Sequence, residues 1–82
     1  MKVTVYTGPS CIWCDRVKIL LKDNGYTIEE KSITDRTFIE EFNNKFNQQL
    51  RTVPQVVIDE KLIGGYNEVE AIMKGPTSIN KV

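Results

Sequence analysis

The chain contains only two cysteines, and they stand close together in the motif Cys11-Ile12-Trp13-Cys14. The motif lies between an apolar run that ends at Thr7 and a helical pattern that begins at Ile12. At a helix N-terminus the first sulfur lies beside unpaired backbone N–H groups and the positive end of the helix dipole, and both favour thiolate over thiol. A thiolate attacks disulfides, and the second cysteine can then resolve the mixed disulfide. The sequence therefore predicts a redox-active dithiol.

Two plainer interpretations of the cysteine pair are less favourable. A structural zinc site takes four ligands, usually Cys and His, and this chain offers two cysteines and no histidine. The other interpretation makes both cysteines small apolar core residues. The position of the pair after a strand and before a helix favours the redox interpretation over both.

Size and charge exclude several classes of protein. With 82 residues, 40% of them hydrophobic, the chain has room for one small domain, residues 1–82. Eleven basic residues balance eleven acidic ones, so charge gives no reason to expect nucleic acid or an anionic membrane as a partner. No segment approaches the roughly eighteen apolar residues of a membrane span, and Met1 to Tyr6 is too short for a secretory signal. We expect a monomeric cytoplasmic protein, in a compartment where reactive cysteines are more natural than a structural disulfide.

Hydrophobic spacing predicts the element order β-α-β-α-β-β-α. The first helix ends at Asn24-Gly25, the second begins after Thr34 or Asp35, and the third begins at a capping box of Asn67 and Glu70. Gly75-Pro76 ends the third helix and leaves 77–82 as an irregular tail. The predicted strands are Lys2–Thr7, Tyr26–Ile33, Val56–Ile58 and Leu62–Ile63.

This element order predicts how the chain folds. A strand, a helix and a second strand form a parallel pair with a crossover, and the two short strands near the end form an antiparallel hairpin. Together they give an α/β protein with a mixed four-stranded sheet flanked by three helices. The apolar faces of the helices carry Trp13, Val17, Leu20 and Leu21, then Phe38, Ile39, Phe42 and Phe46, then Val69, Ile72 and Met73.

Three motifs in this order resemble those of the glutaredoxins, small proteins with the thioredoxin-like fold. They are Cys11-x-x-Cys14 with basic residues behind it, Thr52-Val53-Pro54, and Gly64-Gly65, and the resemblance covers residues 2 to about 74. It implies glutathione-dependent reduction of protein disulfides and of glutathione mixed disulfides. In such a protein Cys11 is the nucleophile, Cys14 resolves, glutathione is the co-substrate and no metal is needed.

The resemblance also implies a glutathione site. A cis bond before Pro54 would turn the backbone of Val53 toward the sulfurs, where it can pair with an extended glutathionyl cysteine. Amides at the start of the helix after Gly64-Gly65 would hold the γ-glutamyl carboxylate. Trp13 would form a wall for glutathione or a docking surface for a protein. The implied glutathione-binding residues are Trp13, Arg51, Thr52, Val53, Pro54, Gly65, Tyr66, Asn67 and Glu68.

Three positions depart from the family pattern. Ile12 replaces the proline that commonly follows the first cysteine, and it adds an amide N–H near Cys11. Gly8 stands where many members have a lysine, and Arg51 is the nearest cation along the sequence to replace its contact with the glycine carboxylate. Asp15 places a carboxylate near the sulfurs, which opposes thiolate formation.

Three other functions stay open at the level of sequence. A glutaredoxin-like donor reduced by thioredoxin reductase would serve ribonucleotide reductase, and a comparison of the two reductants would identify it. A carrier of a [2Fe–2S] cluster would use Cys11 and glutathione thiols from two protomers as ligands, and its absorbance would reveal it. An adaptor that docks through Trp13 without redox turnover would keep its function after both cysteines are replaced.

Overall fold

A computed structural model of the protein describes the backbone of residues 2–80 and the side chains of residues 2–73. The element order is the predicted one, β-α-β-α-β-β-α. The strands are β1 (Lys2–Thr7), β2 (Thr27–Ser32), β3 (Gln55–Ile58) and β4 (Lys61–Gly64), and the helices are α1 (Ile12–Asp23), α2 (Arg36–Phe46) and α3 (Tyr66–Asn80).

The four strands form one mixed sheet in the order β2-β1-β3-β4. Strand β1 runs parallel to β2 and antiparallel to β3, and β3 runs antiparallel to β4. The predicted parallel pair and hairpin are therefore confirmed. Strand β1 is paired along both edges, and its apolar residues Val3 and Val5 are fully buried against α1 and α3 on one face of the sheet.

The sheet carries a separate apolar cluster on each face. Alternate side chains of a strand point to opposite faces, so neighbouring residues of β1 and β3 contribute to different clusters. One cluster joins β1 and β3 to α1 and α3 and contains Val3, Val5, Val17, Leu21, Val56 and Val69. The other joins them to α2 and contains Tyr6, Phe42 and Val57. Helices α1 and α3 consequently share one face of the sheet, and α2 covers the other.

Tyr6 links the central strand to α2 and β2 through polar contacts. Its hydroxyl donates to Glu41 Oε1 at 3.2 Å, and Lys31 Nζ donates to the same oxygen at 2.7 Å. Burial, followed by the charge of Glu41, raises the pKa of Tyr6 to about 12. The phenol therefore stays protonated and remains a hydrogen-bond donor at physiological pH.

The sequence predicts the start of α2 correctly but misplaces the start of α3. Asp35 caps α2 as predicted, and its carboxylate accepts from the Thr37 N–H at 2.9 Å. The capping box of α3 was placed two residues too late. The helix begins at Tyr66, and the carboxylate that reaches back is that of Glu68, which accepts from the Gly65 N–H at 2.9 Å.

The predicted end of α3 at Gly75-Pro76 is also wrong. The helix continues to Asn80, and residues 81 and 82 of the predicted tail lie outside the described residues. A proline inside a helix removes one backbone donor and favours a kink, but the turns on either side keep their own hydrogen bonds. Within the described residues, no helix is both long and apolar enough to cross a membrane.

We expect Phe42→Ala to lower the free energy of unfolding by about 3–5 kcal/mol, because it empties the centre of the α2 cluster. Phe42 is 1% exposed. Urea unfolding followed by circular dichroism measures the change as a shift in midpoint. Ile19→Ala is the control, since this side chain on α1 is exposed and its loss should change stability by less than about 0.5 kcal/mol. Equal effects of the two substitutions would contradict this description of the core.

Candidate active site

Cys11 is the N-cap residue of α1. Its backbone is extended, with φ −108° and ψ 102°, and its Sγ accepts a hydrogen bond from the Cys14 N–H at 3.1 Å. The two sulfurs are joined as a disulfide, with the Cα atoms 5.3 Å apart. In the dithiol form, the same amide N–H and the start of the helix favour negative charge on the Cys11 sulfur.

The two cysteines differ in access to solvent. Cys11 is partly exposed, whereas Cys14 is buried against the core at 2% exposure. The neighbouring Ile12 points into solvent and leaves the N-terminal sulfur uncovered. An external thiol or disulfide therefore meets Cys11 first, while Cys14 is reached through the Cys11 sulfur.

The loop before β3 lies against the cysteines. Tyr6, near the end of β1, pairs with Gln55, the first residue of β3, so the loops that continue from these strands are neighbours. The Val53-Pro54 bond is cis, as the resemblance implied. The Val53 carbonyl oxygen lies 3.7 Å from Cys11 Sγ. A thiol at Cys11 can donate to this oxygen, and a disulfide has no proton to donate.

Gly8 allows the two loops to approach each other. A Cβ atom at this position would lie 3.1 Å from Val53 Cγ2 and 3.6 Å from Ile33 Cδ1. The first of these distances is tighter than ordinary van der Waals contact. The absence of a side chain at Gly8 thus brings the Val53 loop close to the loop that carries the cysteines.

A groove of about 700 Å³ runs beside this loop. It contains all the implied glutathione-binding residues except Arg51. It also contains residues that sequence reasoning did not select. The lining residues are Trp13, Gln48, Thr52, Val53, Pro54, Gln55, Leu62, Ile63, Gly64, Gly65, Tyr66, Asn67 and Glu68.

Arg51 does not line the groove. Its Nη2 donates to Gln49 Oε1 at 3.1 Å, and its side chain is exposed. Most of the additional lining residues come from β3 and β4, and Gln48 comes from the loop after α2. Leu62 lies on β4, and Gln55 Nε2 donates to the carbonyl and hydroxyl oxygens of Thr52 at 3.2 and 3.1 Å. The hairpin predicted after Pro54 was the available signal, because it places β4 beside the cysteine-facing loop.

The start of α3 forms the far wall of the groove. Gly64 has φ 125°, a backbone conformation that favours glycine. The Glu68 side chain folds over Gly64 and accepts from the Gly65 N–H at 2.9 Å. The first α-helical hydrogen bond runs from the Val69 N–H to the Gly65 carbonyl at 3.0 Å. This end of the groove therefore combines backbone amides with one carboxylate.

Trp13 lines the groove and contacts the start of α3. Its ring is about half exposed and tilts against the ring of Tyr66, with the centroids 5.1 Å apart. The guanidinium carbon of Arg16 lies 5.0 Å from the Trp13 ring centroid. These contacts agree with a surface role for the tryptophan rather than a core role.

A charged network joins α1 to the ends of β1 and β2. Lys18 Nζ lies 3.7 Å from Asp15 Oδ1 and 3.1 Å from Glu30 Oε1, so it partly balances the carboxylate next to Cys14. The hydroxyl of the buried Thr7 donates to Glu30 Oε2 at 2.8 Å. The hydrogen bond from Thr7, with that from Lys18 second, lowers the pKa of Glu30. No group of three or more potential metal-ligating side chains occurs within residues 2–73.

A partly exposed cysteine at a helix N-terminus, a buried cysteine one turn later and a cis-proline loop facing them define a thioredoxin-like thiol–disulfide oxidoreductase. The glutaredoxin family model matches residues 3–63, and the chain belongs to the glutaredoxin family. The chain is 34% identical to a glutaredoxin of Haemophilus influenzae over 90% of its own length and 92% of that protein.

Solved structures agree with this assignment. Glutaredoxin 1 from Francisella tularensis is 30% identical and superposes with a TM-score of 0.70 over 96% of each chain. A buckwheat glutaredoxin, solved as a complex with glutathione, is 25% identical and has a TM-score of 0.70 over 96% of this chain and 70% of its own. The thioredoxin-like fold and the redox-active cysteine pair expected from the sequence are confirmed.

We expect low pH to weaken the contacts that Glu30 makes with Thr7 on β1 and with Lys18 on α1. Its pKa is lower in the folded protein than its ordinary value of 4.5. The carboxylate therefore contributes stability above about pH 4.5 that disappears as the pH falls through the folded-state value. Glu30→Gln should reduce the loss of stability on acidification, measured as urea midpoints from pH 7 to pH 3. Glu29→Gln, on the same strand beside the exposed Lys2, is the control, and an equal effect of both would exclude this role.

Proposed function

We propose that the protein uses glutathione to reduce protein disulfides and glutathione mixed disulfides through Cys11 and Cys14. The observation that carries the proposal is the groove beside the accessible Cys11. Its volume of about 700 Å³ falls within the roughly 300–1,000 Å³ of typical small-molecule sites. The complex of the buckwheat relative with glutathione supports the same ligand here.

The walls of the groove suit the parts of a glutathionyl group. Thr52, Val53 and Pro54 form the edge nearest the sulfur, where the backbone of Val53 pairs with the cysteinyl residue of the ligand as a strand would. Tyr66 and Asn67 supply amides at the start of α3 for the γ-glutamyl carboxylate, next to Gly65, whose own amide donates to Glu68. The aromatic side wall is Trp13, and the carboxylate for the ligand's ammonium group is that of Glu68. Arg51 is not part of this proposed site.

The reduction proceeds by two exchanges at sulfur. The Cys11 thiolate attacks one sulfur of the substrate disulfide, forms a mixed disulfide and releases the other sulfur as a thiolate, which takes a proton from water. The Cys14 thiolate then attacks the Cys11 sulfur and releases the second substrate thiol. Two electrons have passed to the substrate, and the Cys11–Cys14 disulfide remains.

Two molecules of glutathione restore the dithiol. The first glutathione thiolate attacks Cys11 and releases Cys14, because Cys11 is the accessible sulfur of the disulfide. The second attacks the sulfur of the bound glutathionyl group, so glutathione disulfide leaves and the Cys11 thiolate returns. A glutathione mixed disulfide of a protein needs only the second of these reactions after Cys11 has taken up the glutathionyl group.

The proposal places the protein in the cytoplasm as a monomer whose residues 1–82 form a single domain. Its substrates include disulfide-bonded proteins, and ribonucleotide reductase is one candidate among them. The proposal includes no nucleic-acid or lipid partner, because the chain has a net charge of zero.

Replacing Cys11 and replacing Cys14 should have different effects on turnover. We expect Cys14→Ser to keep reduction of a glutathionylated peptide within about tenfold of wild type, because that reaction uses only the Cys11 sulfur. Cys11→Ser should abolish it. The assay couples glutathione disulfide formation to NADPH oxidation by glutathione reductase. Activity that survives Cys11→Ser, or that is lost equally in both variants, would contradict the assigned roles.

A methyl group at Gly65 should narrow the glutathione end of the groove. The new Cβ atom would lie 3.4 Å from the Pro54 carbonyl oxygen and 3.5 Å from Glu68 Oε1, which is ordinary contact for the fold. We expect Gly65→Ala to raise KM for glutathione about tenfold or less, with a small change in kcat, because the groove binds the tripeptide before and during the exchange.

The control for Gly65→Ala is its reaction with dithiothreitol. This reductant does not need the groove, so the rate at which it reduces the Cys11–Cys14 disulfide should match that of wild type. An unchanged KM for glutathione in a folded Gly65→Ala protein would place the tripeptide elsewhere.

A further inference from the structure

The exposed apolar side chains are concentrated on one face of the molecule. Within residues 2–73, the large hydrophobic residues that point into solvent are Ile12 and Ile19, each 60% exposed, and Trp13 and Ile72, each 48% exposed. All of them lie on α1 or α3, and these two helices pack against each other on the same face of the sheet. The opposite face, with α2, has no such exposed residue among those described.

A second cleft lies between these helices, and we call it the α1–α3 cleft. It has a volume of about 310 Å³ and is lined by Arg16, Ile19, Leu20, Asp23 and Tyr66. Tyr66 also lines the large groove, so the ring separates the two. The α1–α3 cleft therefore lies next to the groove, on the other side of the Tyr66 ring.

Charge at the α1–α3 cleft indicates what it can bind. Among the described side chains, Arg16 contacts the ring of Trp13 and forms no ion pair with a carboxylate. Its guanidinium lies at the end of the cleft nearer the cysteines. Apolar surface from Ile19 and Leu20 follows along α1, and the carboxylate of Asp23 lies one turn beyond Ile19. A ligand that matches this pattern has a carboxylate closer to the sulfur and an apolar side chain beyond it.

The α1–α3 cleft is too far along α1 for a tripeptide whose cysteine is bound at Cys11 to reach it. A helix rises about 1.5 Å per residue, so Arg16 lies about 7 Å and Ile19 about 12 Å beyond Cys11 along the axis. An extended polypeptide advances about 3.4 Å per residue. Residues two and four positions from the substrate cysteine match these distances.

We propose that the α1–α3 cleft binds the polypeptide that flanks the reactive cysteine of a protein substrate. A carboxylate two residues from that cysteine pairs with Arg16, and an apolar side chain four residues away packs on Ile19 and Leu20. The cleft thus selects among protein disulfides. The proposal rests on thiol–disulfide exchange at Cys11 and not on the use of glutathione.

Nine-residue peptides test the proposal. Their sequence is the same when read from either end, so the test does not depend on the chain direction in which a substrate binds. The first has the sequence Leu-Ser-Glu-Ser-Cys-Ser-Glu-Ser-Leu, the second has Lys in place of Glu, and a third has Ser in place of Leu. Each carries its cysteine as a mixed disulfide with 2-mercaptoethanol, so glutathione is absent. The dithiol protein, reduced with dithiothreitol and freed of it, is mixed with excess peptide, and the released peptide thiol is followed by mass spectrometry.

We expect wild-type protein to react with the Glu peptide about fivefold faster than with the Lys peptide, as one exposed charge pair allows. Arg16→Glu should reverse this order. Lys22→Glu makes the same change of charge on the same helix. Lys22 does not line the α1–α3 cleft but a neighbouring pocket that shares only Ile19 with it, so this variant should keep the wild-type order. Ile19→Ser should remove the preference for the peptide with Leu over the one with Ser.

Equal rates with the Glu and Lys peptides would overturn the proposal, and so would equal shifts in Arg16→Glu and Lys22→Glu. Self-association at about 100 µM in sedimentation that Ile19→Ser abolishes would assign the cleft to a second copy of the chain instead. Failure of the glutathione assays leaves the peptide rates unaffected. A folded dithiol protein that reacts with none of the peptides would contradict both the cleft and thiol–disulfide exchange itself.

Discussion

In the centre of the sheet, β1 pairs antiparallel with β3, and Tyr6 lies opposite Gln55. This pairing brings together two loops that are far apart in the sequence, one with the cysteines and one with Val53 and Pro54. The apolar residues of both strands are buried by helices on the two faces, so the register cannot slip without exposing the core. The 3.7 Å separation of Cys11 Sγ and the Val53 oxygen is a result of this register.

Backbone groups dominate the electrostatics around the reactive sulfur. The Cys14 N–H lies 3.1 Å from Cys11 Sγ, and the start of α1 adds its dipole. The nearest acidic side chain along the chain, Asp15, is partly balanced by Lys18 at 3.7 Å, and Lys18 is itself held by Glu30. Because the carboxylates of Asp15 and Glu30 are exposed, solvent and salt screen them more than they screen the amide. The geometry at the start of α1 therefore determines how strongly the thiolate form of Cys11 is favoured.

The sequence was sufficient wherever local patterns and the core required the same answer. β-Branched runs located the strands, apolar periodicity located the helices, and the cysteine spacing with the motifs around Pro54 and Gly65 located most of the groove. The predictions from the sequence differ from the structure where contacts between distant parts of the chain determine the local geometry. The Glu68 carboxylate reaches Gly65 because Gly64 turns the chain from β4 into α3, a geometry that depends on the sheet. Arg51 is near the groove in sequence, but its side chain turns to Gln49.

The distance in sequence between β1 and β3 has a consequence for the nascent chain. The cysteines are synthesised about forty residues before Gln55, which takes roughly 2–8 s at the usual rates of translation. Until β3 emerges, β1 lacks one of its two neighbours, and the Val53 loop does not yet lie against Cys11. During that time the two thiols belong to a partly synthesised chain that has no groove, so other thiols and oxidants reach both of them without selection. The groove is complete only when β4 and the start of α3, which supply its far wall, have also been made.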